Sequence, residues 1–143
     1  MEPRISIITL GVADIERSYD FYHKGLGFPT SGTPEQGIIF FQTSGTCLAL
    51  YPLEELAKDV SAEQSAERGA FSGITLAHNT RKKEDVDNIL QLAEKSGGTI
   101  VKPAQDTFWG GYSGYFADPD GYLWEVAYGE MWEFNPDGSL VIR

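Results

Sequence analysis

Short apolar, β-branched runs alternate with amphipathic stretches along the chain, and the two kinds come in the same order twice. Ile8-Thr9-Leu10-Gly11 reads as a strand, and Ile74-Thr75-Leu76-Ala77 repeats it 66 residues later. After the first copy, Asp14 is a good N-cap for a helix from Ile15 to about Lys24, with Ile15, Tyr19 and Tyr22 at helical spacing. Gly25 and Gly27 end that helix. After the second copy, Val86, Ile89, Leu90 and Ala93 fall on one helical face, and Gly97-Gly98 terminates it. Glu84, Asp85 and Asp87 sit in its first turn, where acidic groups suit the helix dipole.

The later parts match as well. Gly37–Gln42 and Thr46–Tyr51 read as strands about a Thr43-Ser44-Gly45 turn. Ser113–Ala117 and Tyr122–Tyr128 read as strands about Asp118-Pro119-Asp120-Gly121, where Pro pre-sets φ and Gly supplies a positive φ. Aligning the turn glycines sets Leu48-Ala49-Leu50 against Trp124-Glu125-Val126. With intermediate strands near Gly27–Thr30 and Thr99–Val101, the order is βαβββ, twice. The expected organisation is one domain over 1–143, with module one at 1–52, a linker at 53–70, module two at 71–128 and a tail hairpin at 129–143. The linker is polar and partly helical, and reads equally as a connection or a lid. The tail carries its own turn, Asn135-Pro136-Asp137-Gly138, before Leu140-Val141-Ile142.

Composition narrows the partners. The chain has 143 residues, 11 Lys+Arg against 21 Asp+Glu, and a formal net charge of −10. Nucleic acid and anionic membrane are therefore poor partners, since both need Lys/Arg to neutralise phosphate. One cysteine, Cys47, excludes an internal disulfide framework and reads as a small buried hydrophobe. The first residues carry no apolar run of signal-peptide length, which makes a cytoplasmic location the expectation. No stretch approaches 18 apolar residues, so no membrane span is expected.

The duplicated pattern resembles the vicinal oxygen chelate superfamily of glyoxalases, bleomycin resistance proteins and extradiol dioxygenases. The resemblance rests on Ile8–Gly27 (ITLGVADIERSYDFYHKGLG) and above all on Gly114–Tyr128 (GYFADPDGYLWEVAY), with its aromatic-x-Asp-Pro-Asp-Gly-x-x-x-Glu motif. It implies an α+β fold in which two βαβββ modules form a cupped, barrel-like mixed sheet around a ligand. Metal-using members place ligands at four strand positions, which fall here on Ile7, Ala49, Gly73 and Glu125. Glu125 alone among them is a donor, whereas first-row metals take three or four N, O or S ligands. His78 lies an odd step from Gly73 and so points to the opposite strand face; His23 is on the first helix. No metal and no cofactor are expected.

The remaining candidate is an aromatic basin. Ten of the 18 aromatic residues fall within 27 positions, from Phe108 to Phe134. Trp124 and Phe116 read first as core packing. Phe108-Trp109-Gly110-Gly111-Tyr112 sets three aromatics around a Gly-Gly bend, and two readings stand: a rim over a ligand, or a bulged strand covering a packing seam. Gln105 and Asp106 lie just before that loop as polar contacts or solvated residues. Glu125 is either a ligand contact and general base or a carboxylate satisfied by a hydroxyl from Thr9, Thr75 or a tyrosine. The expected binding set is Ile7, Thr9, Ala49, Gly73, Thr75, Gln105, Phe108, Trp109, Tyr112 and Glu125, with Glu125 as the one catalytic candidate.

The leading expectation is a metal-independent protein that binds a small organic molecule, cationic or aromatic, in an aromatic cup. The alternative is a lyase or isomerase using Glu125 as general base or as a remnant metal ligand. A homodimer is expected by analogy, with Trp132 and Phe134 of the tail offering apolar surface.

Overall fold

The alternating runs become strands and the 3.6-period runs become helices, in the duplicated order. The computed structural model describes residues 1–142. Its elements are β1 (Ile7–Val12), α1 (Ile15–Tyr19), β2 (Ile39–Phe41), β3 (Cys47–Pro52), α2 (Leu53–Val60), β4 (Thr75–Asn79), α3 (Lys83–Lys95), β5 (Thr99–Asp106), β6 (Tyr112–Ala117) and β7 (Leu123–Tyr128). The chain divides into two units, one ending at Ser72 and the other starting at Gly73. Strand pairing makes one sheet in each, in the orders β1-β3-β2 and β4-β7-β6-β5. The α+β class and the repeated module are therefore present, as two separate sheets.

In the first unit, β1 and β3 pair in parallel and β2 joins β3 antiparallel. Asp14 caps α1 by accepting a hydrogen bond from the Arg17 amide at 3.0 Å, and the helix continues as a π-helical turn over Asp20–Gly25. Leu10, Leu48, Leu50, Ile39 and Phe41 bury one sheet face with Phe21 and Tyr22. Tyr22, Phe28 and Phe41 close that core as a triangle of rings 5.7–5.8 Å apart. The expected strand near Gly27–Thr30 does not form. The segment runs beside β2, where Gln42 N–H donates to Pro29 O at 2.8 Å and the Thr30 side-chain hydroxyl to Phe40 O at 2.7 Å. Pro29 has no N–H to extend the ladder, so the sheet stays at three strands.

α2 answers part of the linker question. Gly11 leaves room for it: a Cβ there would lie 2.6 Å from Leu53 Cδ1 and 3.3 Å from Leu56 Cδ2. The helix therefore packs on the end of β1, within the first unit.

In the second unit, β4 and β7 pair in parallel while β6 lies antiparallel to both β5 and β7. Val86, Leu90 and Ala93 of α3 are buried, as are Phe116, Trp124 and Val126. Phe116 and Trp124 stack at 6.0 Å with planes 5° apart, which is the core role the sequence implied. The Asp118-Pro119-Asp120-Gly121 turn forms as read: buried Asp118 accepts from the amides of Asp120 and Tyr122 at 2.9 and 2.8 Å. Its glycine has φ +85°, and Gly45 in the first hairpin has φ +80°, so the duplicated turns share one backbone solution.

Candidate functional site

Residue by residue, each sheet has a helix-covered face and an opposite face, and register decides which side chains share the latter. In the first unit Ile7 pairs with Cys47 and Thr9 with Ala49, so all four lie on the face away from Leu10 and Leu50. Phe40, opposite Ala49, joins them. Ala49 is fully buried, while Ile7 and Phe40 are exposed. Cys47 is half-buried, with Sγ 3.4 Å from Phe41 O and 3.5 Å from Leu48 O.

In the second unit Thr75 pairs with Leu123, Ala77 with Glu125, and Tyr115 with Glu125 from the other side. Glu125 thus stands between Ala77 and Tyr115 on the face away from α3, in company with Leu123 and Ala127. Tyr115 and Glu125 are direct cross-strand partners, close enough for the carboxylate to act on the phenol. The Tyr115 pKa is pushed up, first by burial and then by the neighbouring carboxylate of Glu125. The phenol is accordingly held neutral beside a carboxylate. Tyr115 is the residue that the sequence reading left among general aromatics. Folding the hairpin about Asp120 brings position 115 onto position 125, and that symmetry was the available signal.

Several expected site residues are drawn elsewhere. Gly73 lies before β4 with φ +76°. Since Ile7 pairs with Cys47 as Thr75 pairs with Leu123, Thr75 is the register counterpart of Ile7, two residues beyond the position expected. Tyr112 faces α3, where its hydroxyl donates to Asp87 at 3.0 Å and Lys83 Nζ lies 4.7 Å from its ring centre. Lys83 also reaches Asp106 Oδ1 at 3.0 Å. Tyr112 therefore stands on the face opposite Glu125, because it precedes Tyr115 by an odd step. Gln105 pairs with Ser113 and shares the Glu125 side.

The Gly-Gly loop folds by turn chemistry. Gly110 N–H donates to Thr107 O and Gly111 N–H to Thr107 Oγ1, at 3.2 and 3.0 Å, leaving Phe108 fully exposed. Trp109 folds back onto Trp132 at 5.3 Å between ring centres. A Cβ on Gly111 would come within 1.8 Å of the Trp109 ring, and one on Gly129 within 3.3 Å. Gly111 is thus required by indole packing, whereas Gly110 supplies a positive φ of +89°, and Trp109 and Trp132 pack on each other.

A metal does not fit these residues. Of the four positions implied for ligands, Ile7, Ala49 and Gly73 offer no donor side chain, and Glu125 is a single carboxylate. Among the described residues, no three His, Cys, Asp or Glu side chains gather as a metal group. His78 pairs with Val126 and so faces away from Glu125, and His23 Nδ1 lies 2.8 Å from Phe28 O.

With the repeat, hairpin and Glu125 in view, the sequence matches the family model of the Glyoxalase/Bleomycin resistance protein/Dioxygenase superfamily over residues 4–126. The chain belongs to this superfamily. A glyoxalase-related enzyme from Fulvimarina pelagi is 34% identical, with a TM-score of 0.88 over 98% of both chains. The Glutathione transferase FosA of Serratia marcescens is 28% identical over 87% of this chain and 79% of its own length. The Lactoylglutathione lyase of Agrobacterium tumefaciens, 21% identical, shares the fold with a TM-score of 0.68 over 94% of this chain and 100% of its own. Among the described residues no helix is long and apolar enough to cross a membrane.

Proposed function

We propose that this superfamily member binds a small organic molecule without a metal, on the Glu125 face of the second unit's sheet. The observation that carries this reading is the Glu125–Tyr115 pair on a face of small and apolar neighbours, Ala77, Leu123 and Ala127. A carboxylate has about four lone-pair sites. Beside Tyr115, Glu125 is able to accept from a ligand ammonium or hydroxyl. The −10 net charge favours a cation, and Tyr115 offers an aromatic face. Two relatives carry glutathione in their names, which supports a small organic molecule as the ligand class.

A thermal-shift screen of aromatic amines and glutathione conjugates tests this. The expected hit loses about tenfold or more in affinity on Glu125→Gln, the scale of one charge-assisted hydrogen bond. Hits that bind Glu125→Gln and wild type equally would overturn the site.

The second reading, a lyase or isomerase, is favoured by the same pair, since a proton donor and a proton acceptor lie side by side. In that case Glu125→Gln retains ligand and loses turnover, and Tyr115→Phe lowers turnover less. The proposal also includes a homodimer. The tail aromatics are occupied within the second unit, so the support for pairing lies with exposed Ile7 and Phe40 on the sheet face of the first unit.

A further inference from the structure

On the other side of β4, away from Glu125, the second unit holds an open cavity of about 430 Å³ that the reading above does not use. Its volume lies within the range of small-ligand sites, roughly 300–1,000 Å³. Its wall combines Arg81, Asp85, Asn88, His78, Ile89 and Phe134. Strand β4, helix α3 and the tail hairpin each contribute; the hairpin is closed by Asn135 N–H to Ser139 O at 2.8 Å and Val141 N–H to Glu133 O at 2.9 Å, and Phe134 meets Arg81.

Arg81 is the informative residue. In a chain with 21 acidic side chains, Arg4, Lys24, Lys58 and Lys83 each sit on a carboxylate. Among the described residues Arg81 has no carboxylate partner. Its guanidinium lies instead over the Phe134 ring, 4.5 Å from the centre. Contact with a ring face leaves guanidinium N–H groups available, and such a group can receive a carboxylate in two parallel bonds. Asp85, in the same cavity, is an anion that no cation neutralises among the described residues, and Asn88 adds a carboxamide with both donor and acceptor capacity. Ile89 and the remaining Phe134 surface are apolar.

We propose that this cavity binds a small zwitterion of the α-amino acid class, with its carboxylate on Arg81, its ammonium on Asp85 and its apolar side chain against Ile89 and Phe134. One positive and one negative group in a single cavity select a ligand bearing both charges over one bearing either. His78 supports this, since crowding lowers its pKa against the pull of Asp85, although part of its surface is exposed. The lowered pKa favours the neutral imidazole, which does not compete with a ligand ammonium for Asp85.

Three probes of matched shape test the assignment by NMR on the full chain: L-leucine, 4-methylpentanoate and 3-methylbutylamine. L-leucine is expected to move the His78 ring and Asn88 side-chain signals saturably. The two singly charged probes are expected to bind about tenfold or more weakly. Arg81→Gln should abolish the difference between L-leucine and the amine. Asp85→Asn should abolish that between L-leucine and the carboxylate, and Glu125→Gln should leave L-leucine binding intact. The proposal is overturned if L-leucine at millimolar concentration leaves those signals unmoved in the wild type. It is equally overturned if folded Arg81→Gln binds L-leucine as wild type does, or if the shifts map to the Glu125 face.

Discussion

Single side chains here owe their chemistry to which partner a neighbouring strand delivers. Glu125 meets Tyr115 because β6 and β7 pair about Asp120, and burial with that carboxylate keeps the phenol protonated. His78 is displaced in the other direction, toward its neutral form, with burial as the main cause. The neutral form is favoured in the fold, so the unfolded chain takes up this proton first as pH falls. Stability from His78 is therefore present above its ordinary pKa of about 6.5 and lost as pH drops through the lower folded value. An NMR titration of the His78 ring should give a midpoint below about 6.5, and a midpoint at or above it would contradict the stated burial. The odd step from Gly73 to His78 was readable in the sequence. The Tyr115–Glu125 contact followed from the same arithmetic applied across the turn, whereas Asp87 as partner of Tyr112 was not readable, because it needs the packing of α3 on β6.

Elements show where local pattern is overruled by close approach. β5 extends to Asp106, although Pro103 cannot donate to a ladder. The strand tolerates it by slipping register between Lys102 and Gln105, and Gly114 accommodates the displaced backbone: a Cβ there would lie 2.8 Å from Lys102 O. The Gly-Gly pair was legible as a bend, but its cause was not, since Trp109 and Tyr128 are brought to it by tertiary packing. Gly111→Ala should destabilise the chain by ~1–3 kcal/mol, in the range of overpacking, because its Cβ would meet the Trp109 ring at 1.8 Å and Tyr128 O at 2.6 Å. Urea unfolding measures this. Trp109→Ala in the same background should recover part of the loss, leaving the backbone clash, and a wild-type midpoint for Gly111→Ala would refute the packing account.

At the scale of the whole molecule, a chain with two histidines leaves the superfamily's four ligand positions with Glu125 as their one donor, which is the ground for the metal-free reading. A metal-stripped sample should keep its melting temperature and, by light scattering, the mass of a dimer. A stoichiometric metal whose removal lowers the melting temperature would refute the metal-free reading, and a monomer at micromolar concentration would refute the pairing. The α+β class, the duplicated module and the hairpin turns were determined by the sequence alone, since apolar period, capping and φ-specific residues act within a few positions. The missing fourth strand of the first sheet, the two-residue register offset of Thr75, the packing of Trp109 on Trp132 and the cavity beside Arg81 were decided only by tertiary structure. Each depends on which distant backbone or ring arrives at van der Waals distance, and no local spacing encodes that.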